Sequence, residues 1–146
     1  MYERGLTRRL SNRSRSPLPH LPTLARVART PAPPYYAVTT VTELGPGYDG
    51  EAHRRLGQQL YAHAMTLGGF LGLEAFFDGD GSIAVSYWES LEAIERWRTD
   101  PRHGAAKHVA KTEWFGPTIT RIARVDADYG FNLEGPGRAP QVRAEP

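Results

Sequence analysis

Phe70-Leu71-Gly72-Leu73-Glu74-Ala75-Phe76-Phe77-Asp78-Gly79-Asp80-Gly81-Ser82-Ile83-Ala84-Val85-Ser86-Tyr87-Trp88-Glu89-Ser90-Leu91 is the stretch whose reading decides the fold. Two apolar runs, Phe70 to Phe77 and Ile83 to Trp88, are joined by two Asp-Gly pairs. Such pairs supply the positive φ that a tight hairpin turn requires. Ser90 stands where it can cap a following helix, and Glu92 falls in that helix's first turn, where the helix dipole favours an acid. Leu91, Ile94 and Trp97 mark the buried face of this second helix. Asp100-Pro101 interrupts it, and a further helical piece is expected from Arg102 to Trp114.

Working outward, Tyr35 to Leu44 is rich in β-branched and aromatic residues and reads as a strand. Pro33-Pro34 and Gly45-Pro46-Gly47 mark its ends. Asp49 is placed to cap a helix running to Leu67, with Leu56, Leu60, His63 and Leu67 on one face. Gly68-Gly69 stops it. Thr118 to Asp126 reads as the last strand, closed by Tyr129-Gly130-Phe131. The order β-α-β-β-α-β is the ferredoxin-like split arrangement of the α+β class, an antiparallel sheet with helices on one face. Both alternating sets of the hairpin strands are apolar, Leu71/Leu73/Phe77 and Phe70/Phe76. A sheet apolar on both faces needs a second cover. With no further helix to give, the chain is expected to form a homodimer through the open sheet face.

The 146 residues suit one domain with tails. No run approaches the roughly 18 apolar residues of a spanning helix, so no membrane role is expected. Zero cysteines exclude disulfides, thiolate nucleophiles and Cys-ligated metal. Nothing asks for an oxidising compartment, and the expected location is cytoplasmic. The formal charge of +2 is unevenly spread, since seven of the 18 basic residues are arginines within residues 1–34. Glu3 is the single acid there. This Arg/Pro-rich leader has too little apolar surface to offset its ordering entropy and is expected to be disordered and dispensable for folding. Pro17, Pro19 and Pro22 argue against an amphipathic transit helix. The arginines of a nucleic-acid arm could neutralise phosphates, but no aromatic falls among them for stacking, which argues against nucleic acid. The domain is expected over 35–131, with a loose tail over 132–146.

Several stretches together resemble the antibiotic biosynthesis monooxygenase domain family. They are Tyr35-Tyr36-Ala37-Val38, Gly69-Phe70-Leu71-Gly72, and Ser86-Tyr87-Trp88-Glu89-Ser90-Leu91-Glu92-Ala93-Ile94 with Trp97 and His103 following, then Tyr129-Gly130-Phe131. The resemblance covers residues 35–131 and implies a dimeric α/β barrel in which small ligands lie between sheet and helices. It also implies cofactor-independent oxygenation of a small phenolic or hydroquinone-like molecule as one activity. In that chemistry a deprotonated substrate reacts directly with O₂, and the protein supplies a base, hydrogen-bond donors and exclusion of water. His63 and His103 are candidate bases, because an ordinary imidazole titrates near neutrality. Trp97 is the third candidate, at a position where relatives keep a tryptophan. Tyr87 and Trp97 can donate hydrogen bonds. Tyr36, Tyr61, Phe76, Tyr87, Trp88 and Trp114 are the candidate lining of an aromatic-binding pocket.

Haem-degrading relatives pair an Asn on the first strand with a Trp on the second helix and a ligating His about three turns later. Here Tyr35 to Leu44 holds no Asn, and the position ten residues past Trp97 is Lys107. His108 is one residue off and rotated by roughly 100°. No cofactor is therefore expected. A non-catalytic small-molecule-binding barrel is the alternative to an oxygenase. No metal is expected either, since no histidine pair has ligand spacing. Gly45-Pro46-Gly47-Tyr48-Asp49-Gly50 matches G-x-G-x-x-G, but Asp49 and Glu51 would face the pyrophosphate and Pro46 lacks an N–H. Asp78-Gly79-Asp80-Gly81 has too few acids for a calcium loop.

Overall fold

A computed structural model describes residues 27–133. Expectations for the leader before Val27 and the tail beyond Leu133 concern segments outside the described residues. In chain order the elements are β1 (Tyr35–Leu44), α1 (Gly50–Ala64), β2 (Phe70–Phe77), β3 (Gly81–Trp88), α2 (Leu91–Arg98), α3 (Pro101–Val109), a π-helical turn (Ala110–Trp114) and β4 (Phe115–Val125). The strands form one sheet in the order β2-β3-β1-β4, and every neighbouring pair is antiparallel. This is the ferredoxin-like α+β fold that the hairpin and its flanks predict.

The caps are the predicted ones. The Asp49 carboxylate accepts from the backbone N–H groups of Glu51 and Ala52, and Ser90 Oγ accepts from that of Ala93. Boundaries move where tertiary contacts intervene. α1 stops at Ala64, three residues before Leu67, because the N–H groups of Thr66 and Leu67 bond back to His63 and Ala64 in a tightened final turn. Gly68 and Gly69 then leave the helix at φ of 73° and 78°. β4 begins at Phe115 because the π-turn delivers the Trp114 carbonyl to the Gly45 N–H at 2.7 Å, which draws Phe115 into register with Leu44. The same turn explains the glycine-rich segment after β1. A side chain at Gly47 would strike the Glu113 carbonyl, and the α1 N-terminus is already occupied by Asp49.

The two sheet faces differ. Trp88 is 1% exposed and forms the core with Ala93 and Ile94 of α2, against Tyr36, Val38, Phe70 and Trp97. A register shift between Phe70 and Gly72 places a bulge at Leu71. It corrects the grouping of Phe70 with Phe76: Phe70 pairs with Trp88 and faces the helices, whereas Phe76 pairs with Ile83 on the far face. On that far face Phe76, Ile83, Val41 and Ile119 line up in one row across all four strands. Each is between 36% and 57% exposed. The opposite end of the same face is overlain by the last residues of the Arg-rich segment. There the Ala28 N–H donates to Glu74 Oε1 at 2.9 Å, and Tyr35 Oη donates to Asp128 Oδ2 at 2.9 Å. Among the described residues no helix is long and apolar enough to cross a membrane.

Candidate functional site

Helix capping assembles the first part of the site. Asp100, the residue that interrupts α2 and α3, uses Oδ1 to accept from the backbone N–H groups of Arg102 and His103 at 2.9 and 3.0 Å. Its Oδ2 lies 2.8 Å from His63 Nε2, on the last turn of α1. The two side chains are only 12% and 16% exposed. The bond to His63, with the two amides behind it, holds the Asp100 carboxyl below the ordinary carboxylate range. A carboxylate accepts only, so His63 donates from Nε2–H, and in the neutral imidazole the lone pair is on Nδ1. That nitrogen is 3.5 Å from an Arg102 guanidinium nitrogen.

Trp97, at the end of α2, stacks on His103 with ring centroids 4.2 Å apart and planes 16° from parallel. His103 Nδ1 lies 2.9 Å from the Trp97 carbonyl, to which it donates, leaving Nε2 as the basic nitrogen. Burial pushes the His103 pKa down, against a smaller upward pull from that carbonyl. Behind the pair, Trp88 lies 5.9 Å and His63 6.0 Å from the Trp97 ring. Phe70 and Tyr61 extend the aromatic chain from Trp88 at 5.1 and 5.5 Å, and Tyr36 packs on the same cluster. A groove of about 760 Å³ opens between α1 and α3, walled by Leu56, Leu60, Ala106 and Val109 with His63 and Arg102 at its polar end. Its volume is in the range of small-molecule sites.

His63, His103, Trp97, Trp88, Tyr61 and Tyr36 pack in one aromatic cluster, but of these only His63 lines the groove, and Trp88 is fully buried. The structure does not bring in the other three predicted lining residues. Phe76 and Tyr87 point to the far face of the sheet, because strand alternation puts them opposite Phe77 and Trp88. Tyr87 donates to Glu74 there at 2.8 Å, and its pKa is raised by burial and by that carboxylate. Trp114 is buried at the other end of α1, 5.7 Å from His53.

His53 is the residue that sequence reasoning passed over. Its ring meets Tyr48, Phe77, Trp114 and Phe115 at 5.3 to 5.7 Å, and Nδ1 is 2.9 Å from Tyr48 Oη. Its spacing to Leu56 and Leu60, three and seven residues on along α1, puts it on the same apolar stripe and is the available signal. Asp100 and Arg102 were also missed as site residues; the Asp-Pro pair reads as a helix break. The residues do not fit a haem ligand at the family position. Lys107 Nζ donates to the Arg98 carbonyl, and His108 lies exposed on α3. Among the described residues no group of three His, Asp or Glu side chains is placed to hold a metal.

Burial holds both His53 and His103 below the ordinary 6.5. The unfolded chain therefore binds more protons than the folded one as pH drops through that value. Stability is expected to be full above it and to decline on acidification toward the folded-state pKa values. Melting curves between neutral pH and pH 5 check this, and replacing both histidines by Gln should flatten the slope. The lowered carboxylates Asp100 and Glu95 act in a separate window, losing their contribution below their ordinary 3.8 and 4.5.

The fold and site define an α+β protein of ferredoxin-like topology with a groove between α1 and α3 that is lined by apolar side chains together with His63 and Arg102. The chain belongs to the family of the uncharacterized protein YqjZ of Bacillus subtilis (strain 168). The two are 38% identical over 109 residues, which are 72% of this chain and 91% of that protein. No family model matches. Among solved structures the chain is similar to Rv0793 from Mycobacterium tuberculosis, with a TM-score of 0.56 and 13% identity over 66% of this chain and 99% of that one. It is also similar to a Nitrosomonas europaea protein provisionally assigned as an antibiotic biosynthesis monooxygenase, with a TM-score of 0.54 and 8% identity over 69% and 94%. Likeness at these identities shows the shared fold.

Proposed function

We propose that this protein is a cofactor-independent oxygenase of the antibiotic biosynthesis monooxygenase kind, acting on a small phenolic or hydroquinone-like molecule in the α1–α3 groove. One observation carries the reading: the His63–Asp100 pair at the polar end of an apolar groove, backed by the Trp97–His103 stack. Asp100 fixes the imidazole tautomer and answers the charge His63 acquires on taking a proton. Resemblance in fold to the provisionally assigned Nitrosomonas monooxygenase supports the class of chemistry. The reading carries a cytoplasmic location with it.

The test is O₂ consumption by the purified protein with substituted hydroquinones. The wild type is expected to turn over, and His63→Gln to fall by about 10²–10⁴-fold, the usual worth of a positioned base. Saturable binding without any O₂ uptake would sink the oxygenase and leave a binding protein. The exposed row Phe76-Ile83-Val41-Ile119 supports a homodimer through the open sheet face. Ile83→Lys, which places a charge in the middle of that row, is expected to give a folded monomer in sedimentation. A wild type that already sediments as a monomer would refute the dimer.

A further inference from the structure

We infer that residues 28–34 are a strap that the chain lays over one half of its own open sheet face, holding a second copy off that half and so acting as a brake on self-association. The second copy is that of the homodimer proposed above, on which this part of the inference rests; the strap itself does not depend on it.

Two anchors hold the segment. On edge strand β2, Glu74 Oε1 accepts from the Ala28 N–H at 2.9 Å, while Glu74 Oε2 accepts from Tyr87 Oη at 2.8 Å. One carboxylate thus ties the segment to β2 and β3 at once. Just past β4, Asp128 Oδ2 accepts from Tyr35 Oη at 2.9 Å and lies 3.5 Å from Thr30 Oγ1. The fit beneath is close. A Cβ built on Gly72 would lie 3.0 Å from the Cβ of Ala28, so the glycine leaves the room in which the strap crosses β2. Ala28, Arg29 and Thr30 are half-buried, and Tyr35 is 5% exposed. The folded unit expected from Tyr35 onward therefore takes in these residues as well.

The apolar surface left at the other end is small. Phe76, Ile83, Val41 and Ile119 make a single row there. Four strands are about 20 Å across, and one row takes about 7 Å along them. Even with side-chain relief, that is well below the roughly 800 Å² each partner buries in a stable interface. Gly72, Tyr87 and Ala37 stand in register with one another, four residues further along the same face, and are half-buried at the strap's end. A second copy gains that surface only where the strap lifts. Strap and second copy therefore compete for it, the strap from within the chain and the second copy by mass action.

Trypsin cleavage of the full chain after Arg29, read by mass as the fragment that begins at Thr30, reports whether the strap is down. Sedimentation over a concentration series reports self-association. In the wild type the cut should be slow, and its rate should not change on dilution, because the cover lies within one chain. Glu74→Ala removes the acceptor of the Ala28 N–H and should speed the cut by about tenfold or more, the worth of one hydrogen bond to a charged group. It should also lower the concentration at which copies associate, by up to about tenfold. Glu74→Gln loses the charge but accepts from Ala28 and donates to Tyr87 Oη, so it should match the wild type in both measurements. Tyr87→Phe keeps the Ala28 bond and should leave the cut slow. The inference is overturned if the wild type is cut after Arg29 as fast as the unfolded chain or faster on dilution. It is equally overturned if Glu74→Ala leaves association unchanged, if Glu74→Gln associates as Glu74→Ala does, or if Tyr87→Phe speeds the cut as much. A wild type that stays monomeric while Glu74→Ala associates refutes the homodimer and leaves the brake standing. A wild-type dimer indifferent to Glu74→Ala does the reverse.

Discussion

Replacing Trp88 by alanine is expected to destabilise the protein by about 3–5 kcal/mol, the usual range for emptying a large aromatic site. Among the described residues Trp88 is the largest side chain to be fully enclosed, at 1% exposure, in a core with few other large buried residues. It ends β3 and is flanked by Tyr36 on β1 and Phe70 on β2. Its ring meets Phe70 and Trp97, and its indole N–H donates to Ser86 Oγ at 2.9 Å. Alanine would remove the contact between sheet and α2 and leave Ser86 without its donor. The loss also reaches the site, since Trp97 leans on Trp88 and carries His103 on its other face. Urea unfolding measures the first effect, and the His103 imidazole resonances measure the second. Trp88→Phe should retain much of the stability. An alanine variant within about 1 kcal/mol of wild type would show that the core is not centred here.

Gly69→Ala is expected to cost about 2–4 kcal/mol, because it combines a left-handed backbone with a filled space. The residue sits at φ of 78°, and a Cβ there would lie 2.6 Å from the Cβ of Ala93. Ala93 is 2% exposed on α2 and has no room to yield. The Gly69 carbonyl also accepts from the Glu89 N–H at 2.8 Å, so the loop cannot swing away without releasing the end of β3. Gly68→Ala is the matched control. Its φ is 73°, yet nothing lies within 4 Å of the added carbon, so only the backbone cost of about 1 kcal/mol should appear. Equal melting temperatures for the two variants would remove the packing argument.

Much of the fold was legible because its signals are local. Asp49 and Ser90 cap the helices they were expected to cap, and the Asp-Gly hairpin turns where its residues allow positive φ. The bulge at Leu71 was not legible. It brings Gly72, at φ of 156°, to a place where a side chain would meet Ala28, from a segment more than forty residues earlier. Of the site, His63, His103 and Trp97 were readable from helical spacing and from the family likeness, and they do converge. Phe76 and Tyr87 were misplaced although alternation along β2 and β3, read strictly against Phe77 and Trp88, puts them on the far face.

The residues that complete the site were of another kind. Asp100 announces a helix break in sequence, and its second role needs His63, 37 residues away, to arrive at 2.8 Å. Arg102 reads as a solvated charge, and it stays exposed while one guanidinium nitrogen comes 3.5 Å from His63 Nδ1. The amino-acid sequence by itself determined the elements, their caps and turns, and the two-faced sheet, because each follows from a backbone preference or a periodicity spanning a few residues. Only the tertiary structure decided which histidine meets which carboxylate and where the groove opens. Those outcomes depend on distances between elements, and no local propensity encodes a distance between α1 and α3.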